Sequence, residues 1–347
     1  MAGTILWGSP VWAEVPPSRL RGVKDTTIIV REIGEGALNH TAQQDVCGAD
    51  LGSMFRWQGR TYVVFGDTFG CPLSATPHWR RNTMAVTRDS TPADGVVFDS
   101  WTMDPNGAAA QLFPPDPGAV TAIPTCGVGV DHTGYLFYMQ VKEWGAPGQW
   151  RCDYSSVAVS TDAGQTWQKQ PDRIQWQPGH FNQVAILPIE AFVYFWGIPC
   201  GRGGSVQLMR VERTKMLQKD QYQYYAGGDA SANPRWSGEE ARAVTVASGP
   251  VGELSVRWDA WLGRYLMMYL DLAREAIVIR DAAEPWGPWG EPVTVIPHAT
   301  ARTLYGAYML EGYDEAGGET IYFRVSEFFP AYTTYWARTT LVKAPPP

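Results

Sequence analysis

Two acidic residues, Asp50 and Asp67, occupy matching glycine-flanked settings, G-A-D-L-G and F-G-D-T-F, on either side of a Gln58-Gly59 pair that suits a two-residue hairpin turn. Pairing Trp57 with Arg60 across that turn and counting outward sets Asp50 opposite Asp67. Directly opposed residues of an antiparallel pair have Cβ atoms about 5 Å apart, and like charges there are destabilising. The usual outcome is that one carboxyl keeps its proton to higher pH while the other stays ionised. Glycosidic bond cleavage uses that division between general acid and base or nucleophile. The competing reading is that both aspartates cap loops or hold a structural cation.

Further candidates come from equivalent positions along the chain. Glu253 opens the strand-like run GELSVRW and is the third acidic candidate. Asn182 and Tyr305 open comparable runs, and Asn182 has the chemistry to hydrogen-bond substrate hydroxyls. Arg80, Arg81 and Asn82 follow the first hairpin and are expected to orient carboxylates or sugar oxygens. Trp79, Trp144 and Trp150 fall in loops and are candidates for stacking on sugar rings. The five histidines form no H-E-x-x-H or other metal spacing, and no G-x-S-x-G signals a serine nucleophile. The chemistry needs no organic cofactor, although a Ca²⁺ in a central channel stays open.

Positioning these residues requires a repeated element. A strand opening with small residues, a tight turn and a longer aromatic-rich strand recur five times: GADLGSMFRWQGRTYVVFGDTFG, CGVGVDHTGYLFYMQVKEW, FNQVAILPIEAFVYFWGIP, GELSVRWDAWLGRYLMMYLDL and YGAYMLEGYDEAGGETIYFRVSEF. Most copies are followed by a third strand and an outer segment ending in an aromatic. Four strands per unit make a propeller blade, so the sequence predicts an all-β, five-bladed β-propeller. TTIIVREIG, with no partner of its own, is expected to complete the last blade and remove two exposed edges. Residues 1–25 then form an N-terminal arm, 26–343 the single propeller, and 344–347 a Pro-rich tail. STDAGQTW, Ser160 to Trp167, has the pattern of an Asp-box turn, with Asp162 bonding backbone amides and Gly164 supplying positive φ.

The composition agrees. Of 347 residues, 16 are Trp, 16 Tyr and 12 Phe, and 36 Gly with 26 Pro punctuate short β-branched runs. A net charge of -7 with no basic tract argues against nucleic acid as a partner. The most apolar segment, Val184 to Cys200, is broken by Pro188, Glu190, Gly197 and Pro199, so membrane insertion is not expected. The N-terminus does not read as a signal peptide. Cys47, Cys71, Cys126, Cys152 and Cys200 are odd in number and lack zinc-site spacing; they read mainly as reduced, buried thiols, with a Cys47–Cys71 bond left open.

Taken in order, GADLG, FGDTF, WRRN, IPTCGVGV, SSVAVSTDAGQTW, GELSV and LYGAYM resemble a family first catalogued as a domain of unknown function and since associated with endo-D-arabinanases. The likeness spans about Asp45 to Leu341. It implies a five-bladed propeller that cleaves internal α-D-arabinofuranosyl linkages of mycobacterial arabinogalactan and lipoarabinomannan, with the acidic residues falling on Asp50 and Asp67. Cys126 stands where the family pattern has glycine. The resemblance also implies a setting in phages of actinobacteria, on virions, with a cell-envelope polysaccharide as substrate and other tail proteins as partners. A carbohydrate-binding tail propeller without turnover, or a structural virion protein, is the alternative.

Overall fold

The computed structural model describes residues 19–73, 78–229 and 233–345; most of the expected N-terminal arm and the end of the Pro-rich tail lie outside these. The fold is all-β, with curled antiparallel sheets and, among the described residues, one single-turn α-helix, His298–Ala301, and six short 3-10 turns. The first hairpin pairs Gly48–Trp57 with Arg60–Phe69, with Trp57 opposite Arg60 as the turn count requires. Comparable hairpins join Thr121–Val130 to Thr133–Trp144, Gln183–Ile189 to Phe192–Ile198, the latter half of Thr245–Asp259 to Arg264–Asp271, and Leu304–Glu315 to Thr320–Glu327. Thr83–Thr87, Trp150–Ser160, Gly204–Glu212, Ala276–Ala282 and Thr333–Lys343 add a third strand to each.

The small residues that open these strands make room for neighbouring aromatics. A Cβ on Gly127 would stand 2.4 Å from the Phe55 ring, and one on Gly129 would stand 2.5 Å from Trp57. Phe55 and Trp57 of the first repeat are thereby buried against the second. Rings of this size each bury on the order of 150–250 Å² and dominate the packing between repeats. The Asp-box turn fixes the outer end of the second repeat. Asp162 Oδ1 accepts from the Thr166 amide at 3.0 Å, Gly164 has φ +83°, and Trp167 reaches over to Trp57.

The N-terminal strand runs from Leu20 to Arg31 and pairs antiparallel with Thr333–Lys343. The sheet therefore begins six residues earlier than the expected boundary at residue 26, because Leu20 to Lys24 continue the ladder opposite Thr340 to Lys343. A second departure joins the third and fourth repeats. Gly204–Glu212 pairs with the first half of Thr245–Asp259, so these two repeats share one continuous sheet.

Cysteine usage also departs from the expected reduced thiols. Cys47 is bonded to Cys71 and Cys152 to Cys200, leaving Cys126 free. Separations of 24 and 48 residues carry no spacing signal; only the fold brings these ends together. Burial pushes the Cys126 thiol up to about 11.

Candidate active site

The starts of the inner strands surround a cavity of about 330 Å³ lined by Asp50, Asp67, Glu253, Arg202, Tyr305 and Tyr332, with walls that include Ile123, Met139, Trp144, Trp150 and Phe328. A smaller cavity lined by Thr125, Gln183 and Tyr308 shares Leu51, Met139 and Glu253 with it, and a third of about 250 Å³ shares Leu254 and Tyr308 with that one. The acidic residues thus share one mouth, although Glu253 lies about two hundred residues beyond Asp50 in sequence.

Asp50 sits in a double irregularity of the first hairpin. Ala49 pairs with Thr68, but Leu51 then pairs with Phe65 and Ser53 with Val64. Leu51 and Gly52 both take left-handed backbone, at φ +63° and +78°, a conformation that costs a non-glycine residue roughly 1–2 kcal/mol. This swings the Asp50 carboxyl over Gly66, where a Cβ would meet Oδ1 at 2.5 Å. Tyr305 donates its hydroxyl to Asp50 Oδ2 at 2.6 Å, and Tyr332 lines the cavity beside this carboxyl. The Oδ1 atom is buried without a partner. Asp67 accepts from Trp79 Nε1 at 2.9 Å and from Thr121 Oγ1 at 3.1 Å, both on Oδ1.

Burial is the largest influence on both carboxyls. It lifts Asp50 from its ordinary 3.8 to about 7, with the Asp67 charge adding to the rise and the Tyr305 and Tyr332 hydroxyls opposing it. Asp67 rises to about 6 through burial, held back by Trp79, Thr121 and the Arg81 charge. Both carboxyls are thus raised towards neutrality, the condition in which one can hold a proton while its neighbour is ionised.

Glu253 is gripped by Arg202 through a forked contact, Nε to Oε1 and Oε2 at 3.0 Å and Nη2 to Oε1 at 2.8 Å. Bidentate pairing of this kind is among the stronger charge-assisted hydrogen bonds and fixes the orientation of both groups. The Arg202 guanidinium lies 4.6 Å from the Tyr305 ring centre and 5.5 Å from that of Trp150. The Cys152–Cys200 bond stands two residues from each of Trp150 and Arg202 and ties their two loops together.

The remaining sequence candidates divide. Tyr305 and Trp144 line the cavity, Trp144 being 46% exposed and edge-on to Trp150. Trp79 does not offer a free stacking face: it bonds Asp67 and carries the Arg81 guanidinium 3.9 Å above its ring. Arg80, expected at the substrate, is 2% exposed, with its guanidinium on the carbonyls of Ala109 and Asp45. Asn82 is fully buried and braces the 111–122 segment through Leu112, Phe113 and Ala122. Asn182 is 1% exposed and caps its own loop at Gly179. Burial alternates through W-R-R-N, with Arg80 and Asn82 buried and Trp79 and Arg81 half-buried, although only Trp79–Arg80 is strand. Arg202 and Tyr332 were missed, since both lie in Gly- or Pro-adjacent loops outside the repeated hairpins. Among the described residues no group of three His, Cys, Asp or Glu side chains is arranged to hold a metal ion.

Comparison with known proteins is consistent with this architecture. Residues 36–338 match the model of a family described as Domain of unknown function (DUF4185). A curated relative, Notoamide biosynthesis cluster protein J of Aspergillus sp. (strain MF297-2), is 26% identical over 310 residues, covering 82% of this chain and 80% of its own length. A protein of Bacteroides ovatus ATCC 8483, provisionally named a hydrolase, superposes with a TM-score of 0.63 at 12% identity, covering 86% of each chain. The GH43_1 enzyme of Xanthomonas citri superposes with a TM-score of 0.52 at 13% identity over 92% of this chain and 93% of its own, and its xylotriose complex gives 0.51. At these identities the structural matches establish the fold.

Proposed function

The chain belongs to the DUF4185 family, and from that membership together with the acidic cavity we propose that it is a glycoside hydrolase acting on an arabinan. The observation that carries the reading is the Asp50–Asp67 pair, two neighbouring carboxyls lifted to about 7 and about 6 at the mouth of a channel. In this reading the five repeats are blades of one propeller, completed by the N-terminal strand in the last sheet. Asp50, with the higher value and an unbonded oxygen, holds the proton and delivers it to the departing glycosidic oxygen. Asp67 remains ionised and activates water or attacks the anomeric carbon, so that the C–O bond breaks and the elements of water are added. Glu253, fixed by Arg202, supplies negative charge beside the oxocarbenium-like centre.

Trp144 and Trp150 offer faces for sugar rings, and the internal α-D-arabinofuranosyl linkage is the bond this reading selects. The two disulfides favour action in an oxidising, extracellular setting, which agrees with a cell-envelope polysaccharide as substrate and with a virion-borne enzyme among tail proteins. A competing reading takes its cue from the name of the Aspergillus relative. A cavity of about 330 Å³ with largely apolar walls also suits a small metabolite.

Incubation with mycobacterial arabinogalactan, with products resolved by chromatography and Asp67→Asn as control, tests the proposal. Release of arabino-oligosaccharides by the wild type alone supports it. Binding without release assigns the chain to glycan recognition, and neither binding nor release overturns the arabinan reading.

A further inference from the structure

The irregular backbone that presents Asp50 is held from outside its own hairpin. Ser326 donates its hydroxyl to the Leu51 carbonyl at 3.1 Å, and Arg324 Nη1 donates to the Gly52 carbonyl at 2.9 Å. Leu51 and Gly52 are the two consecutive residues with left-handed backbone, so both carbonyls of the kink are anchored to the strand Thr320–Glu327. The fit is close, since a Cβ on Gly52 would stand 2.4 Å from Arg324 Cδ. Arg324 is in turn gripped by Glu32, Nε to Oε2 at 2.5 Å and Nη2 to Oε1 at 2.7 Å, and Thr334 adds a hydroxyl at 3.2 Å to the same carboxylate. Glu32 follows directly on the N-terminal strand.

Both charged partners are fully buried. An ion pair in that position costs several kcal/mol of desolvation for each ion, and a well-packed apolar pair is often at least as stable. Stability alone therefore does not explain it. What an apolar pair lacks is a fork able to hold Glu32 and the Gly52 carbonyl at once.

We propose that Ser326 and the Glu32–Arg324 pair are positioning residues that lock the Leu51–Gly52 kink and thereby aim the Asp50 carboxyl over Gly66 and into the cavity. The inference rests on the assignment of Asp50 as the proton donor, and it makes the pairing of the N-terminal strand a condition of that aim. Tyr305, on the neighbouring strand of the same sheet, completes the hold by bonding the carboxyl itself.

Ser326→Ala deletes one hydroxyl and leaves the ion pair in place, so it is the primary test; Ser326→Thr restores the hydroxyl. On D-arabinan, Ser326→Ala is expected to lower kcat by about 10- to 100-fold, the scale of a misplacement near 1 Å, with KM changed less than about threefold and activity recovered in Ser326→Thr. The titration of Asp50, followed by carboxyl-carbon NMR, is expected to move down towards the ordinary carboxylate range as the loosened kink admits water. That readout does not depend on turnover. If the wild type cleaves nothing, the hydrolase reading fails while the titration still decides the positioning. Arg324→Lys, which keeps the charge but not the fork, is expected to shift Asp50 in the same direction. Wild-type kcat and an unmoved Asp50 titration in Ser326→Ala would overturn the inference. So would a loss of activity that only parallels a loss of melting temperature.

Discussion

Replacing Asp50 by Asn should make the protein more stable at pH 8 while abolishing turnover, and the size of the gain follows from the site. Burial and the neighbouring Asp67 charge raise the Asp50 carboxyl from 3.8 to about 7 in the folded chain. A group whose folded value is raised binds its proton more tightly folded than unfolded, so it favours folding below pH 4 and progressively opposes it as pH climbs to 7. At about 1.4 kcal/mol per pH unit, the rise from 3.8 to about 7 corresponds to a penalty of at most about 4 kcal/mol at pH 8. Asn carries no charge, and its Oδ1 can still accept from Tyr305. Unfolding entropy of roughly 2.1 cal/mol/K per residue over 347 residues turns about 4 kcal/mol into a rise of about 5 °C in Tm. Calorimetry of both proteins at pH 4 and pH 8 measures this. The expected pattern is near-equal Tm at pH 4 and a higher Tm for the variant at pH 8. A variant that is no more stable than the wild type at pH 8, or that gains equally at both values, would refute the reasoning.

The profile of kcat/KM against pH should be a narrow bell with its maximum between about 6 and 7, because Asp67 must be ionised and Asp50 protonated. Trp79→Phe removes a donor that lowers Asp67 and should move the acidic limb upward; an unmoved limb in the pH–rate profile would sink that assignment. Arg202→Met should cost about 3–5 kcal/mol in urea unfolding by stranding the buried Glu253, and Arg202→Met with Glu253→Gln should recover much of the loss. Replacing Cys152 and Cys200 by Ser opens a loop spanning 48 residues, which the chain-entropy relation puts at about 4 kcal/mol, so a clear fall in Tm is expected together with a rise in KM as the Arg202 loop loosens.

Much of this site was legible because hairpin register can be counted. The Gln58-Gly59 turn sets Trp57 opposite Arg60, as in the structure, but the count that sets Asp50 directly opposite Asp67 is broken by the register shifts between Ala49, Leu51 and Ser53, and the two carboxyls meet instead in the lining of one cavity. Glu253 was read from the run GELSVRW, although its strand begins earlier, at Thr245. What was not legible arises between repeats. Arg202 stands in a loop of glycines and reaches Glu253 from the adjoining repeat of the same continuous sheet, and Tyr332 meets Asp50 across the join between the first and last repeats. The Cys152–Cys200 bond likewise joins two different sheets, whereas Cys47–Cys71 closes the open end of the first hairpin. The misplacement of Arg80 and Asn82 is of another kind: both turn inward to bond backbone carbonyls and amides of the 109–122 segment, while Trp79 and Arg81 stay half-buried beside Asp67, a division that residue type alone does not signal.

The glycines of the two acidic motifs bear most directly on what the site is for. In G-A-D-L-G the last glycine takes φ +78° and leaves the space that Arg324 fills, and in F-G-D-T-F the glycine clears the space that the Asp50 carboxyl occupies. Both describe requirements of one side chain, Asp50, and not of hairpin formation, which a regular ladder would satisfy with less strain. The costs converge there as well: left-handed backbone at Leu51, two carboxyls lifted far above their ordinary range, and a buried ion pair behind them. Strain that clusters around one carboxyl supports the proposal that Asp50 is a functional group. It follows that relieving any one of these costs should raise stability or leave it unchanged while reducing turnover, and Asp50→Asn is the substitution in which the two effects separate most cleanly.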